Sequence, residues 1–403
     1  MSLLSIEEPG ADQAVAVWRG RHPVWALGFR PFYLVAALFA ALAVPLWLAQ
    51  YRGWLGWLGA WPHVGLGWHM HEMVFGMAIA VIVGFLFTAG RAWTGLWTPR
   101  AGHLAALVGL WLAGRVAMLA APAPLAAIVD LAFLPLAAWP LYRVLSQSGN
   151  KRNLFLVVLL GLLTVANGLY HATALGAITL AQTVPVQAAI LLIVVIESVI
   201  GGRVIPMFTR NGAPGATAAA NPRRDRAALA LMVLAALAWV LGAPALVAAP
   251  LALAAAGASL LRLAGWQPQR TLRVPLLWIL HLSYAWIPLG FALLGLAALG
   301  LVATSAAFHA LTVGSMAGLI IGMMTRTTLG HTGRALQAGR AETVMFWLIQ
   351  LGAVARLAAA VGPAALRDPA LVAATLCWSL SFLLFALVYG PYLLRPRIDG
   401  KAG

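Results

Sequence analysis

Twelve apolar runs, each near the ~20 residues an α-helix needs to cross the ~30 Å hydrocarbon core of a bilayer, follow one another between residues 30 and 394. Backbone amides and carbonyls find no water at that depth, so such runs can fold only as helices or as a closed barrel. Runs this long and this rich in Ala and Leu select helices. They fall at about 30–50, 68–90, 102–121, 124–145, 153–176, 184–208, 227–243, 245–264, 274–298, 304–325, 342–362 and 369–394. The expected fold class is therefore an all-α membrane protein, a bundle of twelve transmembrane helices. A hydrophobic share of 63% against 9% charged leaves too little polar surface for a soluble domain of 403 residues.

The basic residues give that bundle a direction. Most of the 26 Lys and Arg gather in alternate joints: Arg19 and Arg21; Arg91 and Arg100; Arg143, Lys151 and Arg152; Arg210, Arg223, Arg224 and Arg226; Arg262, Arg270 and Arg273; Arg326, Arg334 and Arg340; Arg395, Arg397 and Lys401. The intervening loops hold only Arg52 and Arg367. The positive-inside rule then expects an inner-membrane protein with both termini cytoplasmic. Residues 1–23 read as a cytoplasmic tail, 24–394 as one polytopic domain and 395–403 as a second cytoplasmic tail. Glu7, Glu8 and Asp12 stand where a cleavable signal would need its apolar core, so the first crossing is expected to be retained. A net charge of +16 spread in twos and threes encodes topology and does not form the single basic face that nucleic acid requires. The partner this composition demands is the lipid bilayer.

The loop from Tyr51 to Trp68 carries Trp54, Trp57, Trp61 and Trp68 and reads as an interfacial aromatic belt or a short surface helix. Residues 211–222, rich in Gly, Ala and Pro, read as a flexible link joining six helices to six. Helices two, six and ten end in TAGR (Thr88 to Arg91), MFTR (Met207 to Arg210) and MMTR (Met323 to Arg326). Either this is convergent helix termination or the bundle is three pseudo-symmetric groups of four.

Against this apolar background the ionisable residues at membrane depth stand out. Each costs roughly 2.5–3.5 kcal/mol on insertion scales, so His69, His71 and Glu72, grouped at the mouth of the second run, need a reason, and metal coordination is the usual one. His69 and His71 are two residues apart, on opposite helix faces, and should meet different neighbours. Glu72 follows His69 by three and shares its face, where it is expected to orient that imidazole. Of the nine histidines, His63, His69, His71, His171 and His309 all fall near the outer ends of their segments, while His281 lies part-way into helix nine and His331 is cytoplasmic. A lone histidine in a bundle is more often a hydrogen-bonded core residue than a ligand, but clustering at one depth favours metal. With Cys377 as the only cysteine, histidine must bear most of any metal.

Haem iron, copper and zinc all suit such ligands. The absence of CxxCH excludes covalent haem and permits haem b, and the glycine-rich face of Gly314 to Gly322 would leave room for a porphyrin or serve plain helix packing. Arg30, Arg115, Arg203 and Arg356 lie in or at the ends of helices. They either snorkel to an interface or pair with an acid or a cofactor carboxylate, Arg30 and Arg203 being the preferred candidates for pairing. Glu197, within helix six, is a further candidate beside the ligands.

Five stretches carry a resemblance to a known family: HPVWALGFRPFYL (His22 to Leu34), WHMHEMVFG (Trp68 to Gly76), GRVIPMFTRNG (Gly202 to Gly212), HLSYAWIPLG (His281 to Gly290) and HALTVGSMAGLIIGMMTRTTLGHTGR (His309 to Arg334). Over about residues 22–394 the chain resembles the NnrS family. The resemblance implies a polytopic bacterial inner-membrane protein containing haem and copper, linked to nitric oxide and to denitrification, with His69, His71, Glu72, His281, His309 and His331 on the family pattern. His331, at the cytoplasmic end of helix ten, would anchor a haem propionate, bind a second metal or fix a loop. Haem-copper oxidases and nitric oxide reductases also place ligands on helices two and ten of twelve, an analogy of fold only. Their adjacent histidine pair and His-Pro-Glu-Val-Tyr motif are absent here. The expected function is a haem- and copper-binding redox or sensing protein handling nitric oxide or a related small molecule, with an electron donor the sequence does not name. The rivals are a proton-coupled transporter with a histidine and glutamate relay, and a haem- or metal-insertion factor.

Overall fold

The computed structural model of the chain describes residues 22–56 and 63–401, and among them every regular element is helical. Twelve long helices follow the apolar runs: α1 Phe29–Tyr51, α2 Leu66–Thr94, α3 Ala101–Ala120, α4 Ala123–Gln147, α5 Phe155–Ala174, α6 Thr183–Gly212, α7 Pro222–Val240, α8 Ala245–Ala264, α9 Pro275–Ala298, α10 Thr304–His331, α11 Arg340–Val361 and α12 Ala364–Leu394. Eleven are long and apolar enough to cross a membrane. The exception is α7, whose first turn holds Arg223, Arg224, Asp225 and Arg226. Its apolar part, Ala227 to Val240, is only ~21 Å long at 1.5 Å per residue. Trp54 is exposed, whereas Trp57, Trp61 and most of the amino-terminal tail lie outside the described residues.

Local chemistry sets the helix ends. Asn221 caps α7 by accepting from the amides of Arg223 and Arg224, both at 3.1 Å, and Pro222 follows it where a missing N–H costs nothing. Gly95 ends α2 in the left-handed conformation, φ +70°, which a side chain would disfavour. Prolines stand inside α1, α4, α6, α8 and α9, which membrane-spanning helices tolerate better than soluble ones. The outward faces carry leucine and isoleucine, such as Leu42 and Ile128, each 69% exposed, the inverse of a soluble protein's surface.

Two helices depart from regular α geometry in the same way. In α2 an α-helical turn, Leu66–His71, passes into a π segment, Glu72–Ala78, and then back to α-helix. In α10 the turn Thr304–His309 passes into a π segment, Ala310–Ala317. Both segments open directly after a histidine, and glycines stand five and thirteen residues beyond each: Gly76 and Gly84, Gly314 and Gly322. Helix α6 is α-helical throughout. The π segment is therefore shared by helices two and ten and absent from helix six.

The chain resolves into two compact units. The first comprises residues up to Val186, Met324–Leu336 and Phe382 onward. In it α2 packs on α1 and α4, α4 on α3 and α5, and α3 on the π segment of α2. Its core is aromatic, with Phe32 against Phe87 and Phe133 at centroid distances of 6.4 and 5.8 Å. The second unit comprises Gln187–Met323 and Gln337–Ser381. There α8 packs on α7 and α9, and α9 and α11 on the upper turns of α10.

Candidate metal centre

Within the first unit, α2, α3, α4 and α5 bring one polar group each, or two, to a single buried point. His71 and Glu72 come from α2, Arg115 from α3, Asp130 from α4, and Asn167 and His171 from α5, and all six are buried. His71 lies near the start of α2, Arg115 near the end of α3, Asp130 near the start of α4 and His171 near the end of α5. In an alternating bundle those positions share one membrane level, the one expected on the outer side.

The contacts form a closed network. His71 Nδ1 lies 2.9 Å from Glu72 Oε1, and its Nε2 lies 2.9 Å from Asn167 Oδ1 and 3.2 Å from Asp130 Oδ2. Asn167 Nδ2 donates to Asp130 Oδ2 at 2.7 Å, and His171 Nε2 meets the same oxygen at 3.0 Å. Arg115 donates to Glu72 Oε2 at 2.6 Å and, through its other terminal nitrogen, to Asp130 Oδ1. The π segment contributes directly. Gly76 carries no side chain where a Cβ would stand 2.8 Å from the Arg115 guanidinium, and its carbonyl accepts from Trp111 Nε1 at 3.0 Å.

Charge balance follows from these partners. Both nitrogens of His71 face oxygen acceptors, which a ring protonated on each would satisfy. In that form two carboxylates would stand against one guanidinium and one imidazolium. A monovalent metal ion replacing the Nε2 proton would leave the sum unchanged.

His71, Asp130 and His171 offer ligand atoms that all lie within 4.8 Å of one another. Ligands bonded at ~2.0–2.2 Å in tetrahedral directions stand about 3.4 Å apart, close to the 3.2 and 3.0 Å from Asp130 Oδ2 to the two imidazoles, and two imidazoles with one carboxylate suit copper, zinc or ferrous iron. The residues present fit a transition metal.

Other candidates are placed differently. His69 and His71 do meet different neighbours: His69 stacks on Trp47 of α1, centroids 4.0 Å apart. Glu72, expected beside His69, turns instead to His71 and Arg115. Glu72 is the first residue of the π segment. In this unit Arg115 pairs with the acids Glu72 and Asp130. Arg30 donates to the carbonyls of Tyr392, Leu393 and Arg395, at 3.4, 3.0 and 2.8 Å, and Arg203 is exposed on α6. His331 packs against Phe29 at 5.6 Å.

In the second unit, His309 Nδ1 donates to the Ser305 carbonyl at 2.7 Å, a contact of the kind that orients a ligating imidazole. His281 Nε2 meets Thr209 Oγ1 at 2.7 Å, far along α9 from the α10 end that bears His309. Glu197 accepts from Ser315 Oγ at 3.0 Å. The glycine face of α10 leaves no room for a porphyrin, because α9 fills it. Side chains at Gly314, Gly318 and Gly322 would meet Trp286, Ser283 and Leu280. These glycines serve close helix packing.

Asp130 and Asn167 were missed from sequence, and Arg115 was passed over. The depth rule that singled out His71 applies equally to Asp130, an acid within APLAAIVDLAFL. Asn167 carries no charge and gave no comparable signal.

The family model described as NnrS protein matches residues 23–397, nearly the whole chain, and the chain belongs to that family. No curated protein matches it.

Proposed function

We propose, from membership of the NnrS family as premise, that the chain is an inner-membrane protein holding copper at His71, Asp130 and His171 and a b-type haem through His309, and that it handles nitric oxide or a related small molecule. The observation that carries this reading is the buried two-histidine, one-carboxylate set. When bound, copper and haem iron would supply one-electron centres able to coordinate a small diatomic ligand.

The chain's own residues do the rest. Glu72 orients the His71 ring through Nδ1, Asn167 donates to Asp130, Arg115 fixes both carboxylates, and Tyr170 and Phe75, at 4.6 and 5.1 Å from that ring, pack against it. Such a site suits a small uncharged ligand that partitions into the bilayer. The alternation of basic loops supports cytoplasmic termini and a network on the periplasmic side.

The test is metal counting on detergent-purified protein. His71→Ala, Asp130→Asn and His171→Ala should each lose the same copper, while His69→Ala keeps it and His309→Ala loses the reduced haem band. Copper retained by all three network variants would remove the assignment. Haem that is substoichiometric and exchanges quickly would point to an insertion factor. Exposing the reduced protein to nitric oxide should shift the spectrum of the wild type.

A further inference from the structure

In the second unit Glu197 is the fifteenth of the thirty residues of α6, ~20 Å along the helix from either end and so near the bilayer mid-plane. Its hydrogen-bond partner is the Ser315 hydroxyl, which stands in the π segment of α10 and donates to Oε2 at 3.0 Å. Among the described residues no cation lies within ion-pair distance of Glu197. In the first unit each buried carboxylate has a guanidinium beside it: Glu72 and Asp130 are both held by Arg115. Nothing comparable serves Glu197, and a carboxylate at that depth with one hydroxyl donor is far costlier than the neutral acid.

The charged and titratable groups around it are engaged elsewhere. Arg262 of α8 donates to Asp225 at 2.6 Å, to Ser198 Oγ at 2.6 Å and to Tyr284 Oη at 3.0 Å. His281 of α9 is bonded to Thr209, and His309 of α10 to Ser305. Arg262 and Asp225 also line a cavity of about 220 Å³ at the start of α7, together with Asn221, Arg224 and Trp266. From that cavity the paired hydroxyls of Ser198 and Tyr284, 2.9 Å apart, carry polar groups inward to the residue next to Glu197.

We propose that Glu197 is a proton-exchange site: a neutral carboxyl at mid-membrane, steadied by Ser315, that takes up and releases a proton supplied from the cavity beside Asp225. The site is independent of the metal reading and holds whether or not metal is bound.

Dicyclohexylcarbodiimide, an apolar reagent that reacts with protonated carboxyls, tests it on the full chain in nanodiscs. Peptide mass spectrometry should find the adduct on Glu197, with Glu72 and Asp130 unlabelled, and the labelling should slow as pH rises. Infrared difference spectra of Glu197→Gln against wild type should lack one carboxylic-acid carbonyl band. In wild type that band should shift in D2O, which needs no variant to fold, and Ser315→Ala should move it while leaving the labelling in place. An unlabelled Glu197 whose replacement removes no acid band overturns the proposal. So does an acid band that never shifts in D2O, since that proton would be trapped and purely structural.

Discussion

Arg115 of α3 and Glu72 of α2 meet at 2.6 Å, and the same guanidinium holds Asp130 of α4. One side chain therefore ties three helices and donates to two acids where water cannot. Replacing it by Leu strands both carboxylates, and breaking such a buried pair costs roughly 3–5 kcal/mol. We expect Arg115→Leu to lower stability by that amount in detergent unfolding, and the triple variant with Glu72→Gln and Asp130→Asn to recover much of it. A single variant as stable as wild type would mean that the network does not persist in solution.

Glycine positions predict opposite outcomes at two helix sites. A Cβ at Gly314 would overlap the Trp286 ring, so Gly314→Ala should cost about 1–3 kcal/mol through overpacking and should separate α9 from α10. At Gly109 a Cβ meets open space, and Gly109→Ala should stabilise α3 by about 0.5–1 kcal/mol. Thermal unfolding of the two variants side by side checks both signs.

Outside the membrane, Arg397 bonds both oxygens of Asp399, at 2.9 and 2.6 Å, and pushes its carboxyl down to about 2 from an ordinary ~3.9. A lowered folded-state value stabilises the docked tail at pH above the ordinary one, and that contribution is lost as pH falls through about 2. The Ile398 amide, which donates to Thr332 at 3.2 Å, reports the docking. Its hydrogen exchange should quicken several-fold in Asp399→Asn at neutral pH. It should stay slow in wild type down to about pH 3, and added salt should narrow the difference.

The helices were legible because length and apolarity are properties of the local sequence, and α1, α8 and α9 appear within a residue or so of their runs. The histidines of the network were legible for a related reason: His71 and His171 are polar at an apolar depth. What completes the site was not, because the pairing of Arg115 with acids on α2 and α4 is a matter of which faces meet. The two π segments were equally hidden. No residue type demands an i→i+5 turn, and here it arises where Gly76 and Gly314 let a neighbour press into the helix.

Arg30 sits in the first turn of α1 and satisfies three carbonyls at the end of α12, across 362 to 365 residues of chain. At ribosomal speeds of about 5–20 residues per second, roughly 20–70 seconds separate the synthesis of the clamp from that of its target. The first helix to enter the membrane must therefore wait, with a buried guanidinium uncommitted, until the last one arrives. The second unit, which is encoded wholly within that interval, has time to assemble before the first can close.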